Sequence, residues 1–365
     1  MSRKLIVANT YYQIIFAIQM KLTAFKDDKI DILISDHSKN ADIVTQRLKK
    51  CGPFENADYM TTKGPGDNRN FSERVRDFFC LTFGKRNSHW PFKEDSSKKF
   101  YDELIVYNYD MQVLGFYYNL SSINPEIKFS RFEEGILSYN NELLFTPTRN
   151  LIGKLRRMQG KNTIEDAMNF FYCGHPELYR GELEPYKIPL IKKDDNALKN
   201  ILQEIFNFDP QKNVYTQRYI FFTSVLDFEG GEPIGEYELV SKVAELVGKD
   251  NLLVKTHPRD KRTIYIDNGF NVDKNSAIPW EVIQLSGDFS DKVFLTVNSG
   301  SVLAGSFMSE KPVRTFYMYK LCNISNNPCC QKNAADVEAL LNNQDMKDIL
   351  SEVSIADRIE DIIVG

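Results

Sequence analysis

The sequence has no excess of positive charge, since 46 Lys and Arg residues face 50 Asp and Glu residues, for a formal net charge of −4. A protein that binds the nucleic-acid backbone broadly needs a basic surface, so nucleic acid is not expected as a partner. The six cysteines include no C-x-x-C pair, which argues against a zinc ribbon and against a disulfide framework. Unpaired thiols are typical of a reducing compartment, and we expect a cytoplasmic location.

Several phosphate-binding and catalytic motifs are also missing. The chain has no G-x-G-x-x-G, Walker A or G-x-S-x-G segment, so dehydrogenase, P-loop kinase and esterase functions lose their main support. It has no D-x-D segment, which disfavours a transferase that holds its nucleotide sugar through a metal ion. The N-terminal apolar run, KLIVANTYYQIIFAIQ, is interrupted by polar residues and is too short to span a membrane.

What the chain does contain is enough apolar material for two domains, with 365 residues of which 42% are hydrophobic. Its first half alternates helix-period segments with apolar strand patterns at 5–8, 30–35, 58–61, 103–107 and 127–132. The second half repeats this alternation, with strands predicted at 219–223, 252–256, 292–297 and 313–318. Such alternation predicts parallel sheets. We expect an α/β protein of two Rossmann-like domains, 1–190 and 191–365, that face each other across a cleft.

A serine-containing segment leads from one of these strands into a predicted helix. At the carboxyl end of a parallel strand, free N–H groups and the helix dipole favour a bound phosphate. Ser299 and Ser301 add hydroxyl donors, Gly300 permits close approach of the backbone, and Asn298 precedes them. The segment therefore predicts a phosphate site, with an ordinary helix N-cap and tight turn as the alternative.

The pair His257-Pro258 follows another apolar strand of the second half, between Lys255 and Arg259. An imidazole at this position can bond a phosphate oxygen or protonate a departing one, because its ordinary pKa lies near neutrality. The alternative is a surface histidine whose hydrogen bonds are made within the protein and that has no ligand. The position of His257 in the same half as the serine segment favours the phosphate interpretation.

Adjacent acids, Glu133 and Glu134, precede Gly135 just past a predicted strand of the first half. Because neighbouring carboxylates repel each other, the pKa of one of them can rise enough for it to act as a general base. An exposed acidic turn is the commoner explanation of such a segment. Three other carboxylates are alternative candidates for the general base or for binding a ribose. They lie in the glycine-rich loop of the second half and just after it: Asp227, Glu229 and Glu236.

The other three histidines are weaker candidates. His175-Pro176 lies in a segment, 143–191, where the pattern weakens, and we interpret it as structural or as part of an acceptor site. It follows no predicted apolar strand. His37 and His89 lie in polar loops.

Taken together, the E-E-G, H-P and serine segments resemble the motifs that bacterial sialyltransferases carry in the same order. The opening segment KLIVANTYYQIIFAIQ is similar to the start of glycosyltransferase family 52, the lipooligosaccharide and capsule sialyltransferases. Thr10 and Gln13 stand where that family often has T-P-x-Q, although Tyr11 replaces the proline, and Gly300 interrupts the serine motif. The resemblance spans most of the chain.

The resemblance implies a GT-B fold, with an acceptor-side domain at 1–190 and a CMP-binding domain at 191–365. It implies an inverting transfer of sialic acid from CMP-sialic acid to a galactose hydroxyl of a bacterial surface glycan, in α2,3 linkage, with no required metal and no cofactor. Glu133 or Glu134 would take the hydroxyl proton, and His257 would stabilise the leaving phosphate. The substrate-binding residues would be Thr10, Gln13, Gly135, Pro258, Asn298, Ser299, Gly300 and Ser301.

Three other interpretations stay open. A transferase of the same fold could use another donor, such as UDP-glucose. A non-catalytic glycan-assembly protein could retain such a fold without turnover. The basic segment 151–161 (LIGKLRRMQGK) is compatible with a peripheral position on the inner face of the cell membrane, and a homodimer is compatible with the sequence.

Overall fold

A computed structural model describes residues 1–61, 70–83, 99–107, 111–140, 147–192, 194–275, 278–310 and 312–363. The chain divides into two compact units, Met1–Pro189 and Leu190–Gly365, one residue before the predicted boundary. Each unit is built on its own parallel sheet.

The first unit contains a seven-stranded sheet in which every pair of neighbours is parallel. Its strands are β1 (Arg3–Ala8), β2 (Lys29–Ser35), β3 (Asn56–Met60), β4 (Glu103–Val106), β5 (Lys128–Phe132), β6 (Met168–Cys173) and β7 (Glu184–Lys187). Its helices are α1 (Tyr11–Leu22), α2 (Ala41–Cys51), α3 (Phe71–Phe83), α4 (Met111–Ser121) and α5 (Pro147–Met158). The spatial order β3-β2-β1-β4-β5-β6-β7 reverses its winding between β1 and β4, where such sheets bind ligands.

The second unit repeats this winding in a six-stranded parallel sheet of order β10-β9-β8-β11-β12-β13. Its strands are β8 (Tyr219–Phe222), β9 (Leu252–Lys255), β10 (Asn271–Val272), β11 (Val293–Thr296), β12 (Arg314–Tyr317) and β13 (Val353–Ile355). Its helices are α6 (Asn196–Phe206), α7 (Glu236–Val247), α8 (Ile264–Asp267), α9 (Trp280–Ser286), α10 (Ser301–Met308) and α11 (Pro328–Leu341). The prediction of two Rossmann-like α/β domains is confirmed, and this content fits the GT-B fold.

Apolar strands form the centre of each sheet because both of their faces are covered. β1 and β11 are buried almost throughout, as is usual for strands between two helical layers. In the first unit α3, α4 and α5 contribute to one apolar cluster on a single face of the sheet, with Leu5 and Val7 of β1. On α1, nine of the twelve residues are buried, and Phe16 stacks on Phe132 of β5.

A buried carboxylate connects four strands of the first sheet. Glu103 of β4 accepts from Lys4 Nζ of β1 at 2.5 Å, from Tyr172 Oη of β6 at 2.8 Å, and from Ser130 Oγ of β5. Lys4 also lies 4.7 Å from the centre of the Phe25 ring. The charge of Glu103 is therefore paired and hydrogen-bonded inside the sheet, as a buried charge must be.

Removing the cation of this pair is expected to destabilise the protein strongly. Lys4→Met should lower the free energy of unfolding by about 3–5 kcal/mol, because it leaves the Glu103 carboxylate buried without its counter-charge. The control is Lys49→Met, since Lys49 and Asp58 form an exposed pair at 3.0 Å that is worth about 1 kcal/mol or less. Denaturant titration measures both, and equal losses would contradict the prediction.

The strands that the sequence does not predict lie at an edge of a sheet or, for β6, next to one. β6 and β7 fall within 143–191, and β10 and β13 are only two and three residues long. The polar stretch at about 63–97 is typical of a long surface loop, with one short helix predicted near 71–83. That helix is present as α3, and most of the rest of the stretch, including His89, lies outside the described residues. Across the described ranges, every helix is too short or too polar to cross a membrane.

Candidate functional site

The two predicted acids of the first unit have different surroundings. Glu133 is fully buried and accepts hydrogen bonds from Tyr12 Oη at 2.6 Å, from the Gly174 N–H at 2.9 Å and from Tyr139 Oη. Burial raises the pKa of Glu133, and these donors and His175 oppose that shift. Because both of its oxygens are occupied, Glu133 is suited to hold the loop and not to receive a substrate proton.

Glu134 lies next to the predicted substrate residues of α1. Burial raises the pKa of its carboxyl above the ordinary value, while the side chains of Thr10 and Gln13, and the charge of His37, lower it in part. The side chain is only partly buried. The structure therefore brings Thr10, Gln13 and Glu134 together at the carboxyl edge of the sheet and adds His37, which the sequence ranked as a weak candidate.

A tight turn fixes the direction in which Glu134 points. Gly135 adopts a positive φ of 75°, which an L side chain rarely adopts, so the glycine of the E-E-G segment has a backbone role. Ser138 closes the turn, since its Oγ donates to the Gly135 carbonyl at 2.6 Å and accepts from the Glu134 N–H at 3.1 Å. This geometry explains Gly135 without a ligand.

Thr10 and Gln13 also have structural roles. Thr10 is the N-cap of α1, with its hydroxyl 3.3 Å from the Gln13 N–H, and Gln13 Oε1 accepts from the Asn9 N–H at 2.6 Å. This arrangement resembles a capping box. Gln13 Nε2 is buried, and the Gln13 side chain lowers the pKa of Glu134 by hydrogen bonding to its carboxylate.

The interpretation of His175 as following no strand is wrong. β6 ends at Cys173, two residues before His175. The His175 N–H donates to Tyr139 Oη at 3.1 Å, and Tyr139 in turn donates to Glu133. His175 is thus part of the buried hydrogen-bond network that holds the acidic loop. This agrees with a structural role for His175, although the residue follows a strand that the sequence did not predict.

In the second unit His257 stands just past β9, with its backbone N–H donating to Thr223 Oγ1 at 3.0 Å. Its ring Nδ1 accepts from the Arg259 N–H at 3.1 Å, so the neutral imidazole carries its proton on Nε2. Burial, and after it the charge of Arg259, lower the pKa of His257 from its ordinary 6.5. At neutral pH His257 is a directed N–H donor. Pro258 is exposed.

The serine segment is held by the last residue of β11. Thr296 Oγ1 accepts from the N–H groups of Asn298 at 3.1 Å and Ser299 at 2.7 Å, so those two amides are already used. Gly300 is the N-cap of α10, and the first N–H groups of that helix, beginning with Ser301, have no acceptor within it. Space for a Cβ around Gly300 is open, so no neighbour in the protein requires a glycine there.

The two segments predicted to bind phosphate are both hydrogen-bonded to the end of β8. Thr296 Oγ1 donates to the carbonyl of Phe222 at 2.9 Å, and His257 is tied to the next residue, Thr223. Since β8 lies between β9 and β11, the two segments flank the point at which the strand order reverses. The structure therefore brings His257 together with 298–301 within the second unit.

The three alternative carboxylates of the second unit are all bound to groups of the protein. Asp227 Oδ1 accepts from three successive backbone N–H groups at the start of α7, residues 234–236, and so caps that helix. Glu229 pairs with Arg259 at 2.7 Å. Glu236 is fully buried and accepts from the Ser224 N–H at 2.9 Å, and burial raises its pKa to about 8. These contacts explain all three as structural groups of the loop after β8.

Sequence reasoning missed the two threonines that hold these segments. Thr223 and Thr296 follow or end apolar strands and are almost fully buried. A hydroxyl residue at the end of an apolar strand was the available signal, because a buried hydroxyl has to find a backbone partner. No group of three or more His, Cys, Asp and Glu side chains able to hold a metal occurs in the described part of the chain.

Comparison with known proteins finds similarity only in structure, since no protein-family model and no curated protein matches the chain. A Photobacterium phosphoreum α/β-galactoside α-2,3-sialyltransferase is 13% identical, with 99% of each chain covered and a TM-score of 0.45. S. aureus MnaA, in a structure with UDP, is 10% identical, with 99% of this chain and 94% of that chain covered and a TM-score of 0.42. Acinetobacter baumannii MurG is 8% identical, with coverages of 99% and 89% and a TM-score of 0.41. No function is taken from likenesses at this level, and membership of family 52 stays a prediction.

Proposed function

We propose that the chain is a glycosyltransferase that moves sialic acid from CMP-sialic acid to a galactose hydroxyl of a lipooligosaccharide or capsule, with inversion and in α2,3 linkage. The observation that carries the proposal is the arrangement around β8. His257 and the start of α10 flank one strand end at the reversal of a parallel sheet, where phosphate groups bind.

In the proposed reaction this arrangement stabilises the leaving group, CMP. As the bond between the anomeric carbon and the phosphate oxygen breaks, its electron pair stays with CMP and negative charge grows on the phosphate. His257 Nε2–H and the first N–H groups of α10 would donate hydrogen bonds to that charge. The hydroxyls of Ser299 and Ser301 add further donors.

The acceptor side of the reaction needs a group that removes a proton. The galactose hydroxyl attacks the anomeric carbon from the face opposite the phosphate, which inverts the centre, and its proton passes to the Glu134 carboxylate. Burial raises the pKa of Glu134, which makes its carboxylate a stronger proton acceptor than that of an exposed glutamate. Glu133, with Tyr12 and Tyr139, positions the loop.

Nucleotide selectivity tests the proposal cheaply. If the second unit binds a nucleoside monophosphate, CMP should raise the melting temperature of the protein more than CDP or UDP at equal concentration, because ligand binding to the folded state stabilises it by mass action. A larger shift with UDP would indicate a different nucleotide sugar.

Turnover is measured by incubating the protein with CMP-sialic acid and a panel of galactosides, with and without EDTA. We expect a sialylated galactoside and free CMP in equal amounts, in both conditions. Binding of CMP without transfer to any galactoside, or loss of transfer in EDTA, would count against the proposed reaction.

A further inference from the structure

The helix α3 presents an apolar stripe to the exterior of the first unit. Phe71, Val75, Phe79 and Phe83 are spaced four residues apart, and their exposed fractions range from 37% for Val75 to 82% for Phe71. Three of the five exposed phenylalanines in the described ranges lie on this helix. Phe79 and Phe83 stack with ring centres 5.9 Å apart. Clustered exposed aromatics of this kind mark a surface that another body covers.

The neighbouring helix α5 extends the stripe. Leu151 and Met158 are 48% and 75% exposed, and their spacing of seven residues places them on one face of the helix. α3 and α5 share the same apolar cluster of the first unit. We define the α3–α5 face as Phe71, Val75, Phe79, Phe83, Leu151 and Met158.

This face is held in place by the rest of the unit. Asn70 and Glu73 form a capping box at the start of α3, with the Glu73 N–H 2.9 Å from Asn70 Oδ1 and the Asn70 N–H 3.1 Å from Glu73 Oε2. At the other end, Arg156 Nη1 donates to the Leu81 carbonyl at 2.8 Å, and Lys161 Nζ donates to the Phe83 carbonyl at 2.9 Å. The last turn of α3 is therefore held in place by hydrogen bonds from basic side chains of α5 and of the segment after it.

Basic residues outnumber acidic ones on the two helices of the face, although the chain as a whole is acidic, because α3 carries two of each kind and α5 carries only basic residues. α5 (PTRNLIGKLRRM) contains four basic residues and no acid, while the net charge of the chain is −4. Of these four, Arg156 is buried and Arg157 pairs with Asp166 at 2.8 Å. Lys154 is exposed and shares the outward face of α5 with Leu151 and Met158. Arg76 precedes Phe79 by three residues and Phe83 by seven, so it flanks the stripe on α3.

We propose that the α3–α5 face docks on a membrane surface that contains anionic lipid. Aromatic and aliphatic side chains on one side of a helix enter the boundary between headgroups and acyl chains, and neighbouring Lys and Arg residues bind the lipid charge. The positive charge around the apolar stripe is what selects an anionic bilayer as the occupant. This inference goes beyond the proposed function and needs neither the donor nor the acceptor.

Vesicle flotation of the 365-residue chain tests the docking. We expect binding to vesicles of phosphatidylglycerol and phosphatidylcholine to exceed binding to phosphatidylcholine alone by about tenfold or more, and to weaken in high salt. Phe79→Ser/Phe83→Ser should lower the partition coefficient by about tenfold or more, because two aromatic rings no longer leave water on binding. Lys154→Glu should lower it only for the anionic vesicles.

Matched variants elsewhere on the surface serve as controls. Val214→Ser/Ile266→Ser removes two apolar side chains that are 68% and 61% exposed in the second unit, and Lys332→Glu reverses an exposed charge of α11. Both should bind vesicles like the unsubstituted protein, and melting temperatures establish that every variant is folded.

Three results would overturn the inference: no preference for anionic vesicles, unchanged binding by the Phe79→Ser/Phe83→Ser variant, or an equal loss in the controls. Analytical ultracentrifugation covers the other possible occupant. If the phenylalanine variant abolishes a dimer of the unsubstituted chain and leaves vesicle binding intact, the face belongs to a second copy of the chain.

Discussion

Glu134→Gln is expected to lower turnover with CMP-sialic acid and a galactoside by about 10²–10⁴-fold, the contribution that a positioned general base makes. The amide keeps the size of the side chain and its contacts with Thr10 and Gln13, so the loss measures the missing proton acceptor. Initial rates at saturating donor give the effect directly, and the melting temperature should change little because Glu134 is only partly buried.

The pH dependence of the rate adds a second readout. A general base works only when it is deprotonated, so kcat/KM should fall as the pH drops through the pKa of Glu134. Because burial raises that pKa, the fall should begin at higher pH than for a solvent-exposed glutamate. In the Glu134→Gln variant the residual kcat/KM should no longer show this fall at low pH, the acidic limb of the pH profile.

Glu133→Gln is the matched comparison, since it makes the same chemical change one residue earlier. Glu133 accepts from two tyrosines and a backbone amide, so an amide there leaves one donor facing another donor and should destabilise the loop. We expect a lower melting temperature and an acidic limb that is still present. Full activity in both variants would remove the acidic loop from the mechanism and leave Asp227 and Glu236 as the candidates for the base.

His257→Ala is expected to lower turnover by about 10²–10³-fold, the loss seen when one preorganised donor to developing negative charge is removed. The backbone N–H of residue 257 still reaches Thr223 in the variant, so the loop should keep its anchor. Ser301→Ala should cost about tenfold or more, because the N–H groups of α10 remain when the hydroxyl is gone.

Two companion measurements separate this role from a structural one. The pKa of His257, followed by NMR, should lie below 6.5 in the free protein and rise when CMP is added, because a bound phosphate favours the charged ring. His175→Ala, which removes the imidazole next to the Glu133 network, should instead affect stability. Unchanged turnover in both His257→Ala and Ser301→Ala would eliminate the proposed phosphate site.

Much of the architecture could be read from residue patterns because both units are parallel sheets. Their central strands are covered on two sides and appear as continuous apolar runs, as in β1, β8 and β11. Strands at the margins carry no such pattern. β7 (EPYK) is exposed throughout, and β13 has three residues, so neither resembles a buried strand in sequence.

The positions of the candidate residues could be predicted from the sequence, whereas the role of each could not. The acidic pair follows a strand of the first unit, and His257 and the serine segment follow strands of the second, where the ends of parallel strands share one edge of that unit's sheet. Which acid is enclosed depends on Tyr12 and Tyr139, whose hydroxyls reach Glu133 only in the folded unit. The use of the Asn298 and Ser299 amides by Thr296 is likewise invisible until the turn is formed.

The contacts of Glu133 have a consequence for biosynthesis. Tyr12 is 121 residues away from this carboxylate along the chain, and Gly174 is 41 residues beyond it. During translation the acidic loop therefore has no complete set of partners until residue 174 has left the ribosome and β6 has joined the sheet. Pairings over such separations form slowly, and a nascent chain that stops earlier exposes an unsupported carboxylate to water.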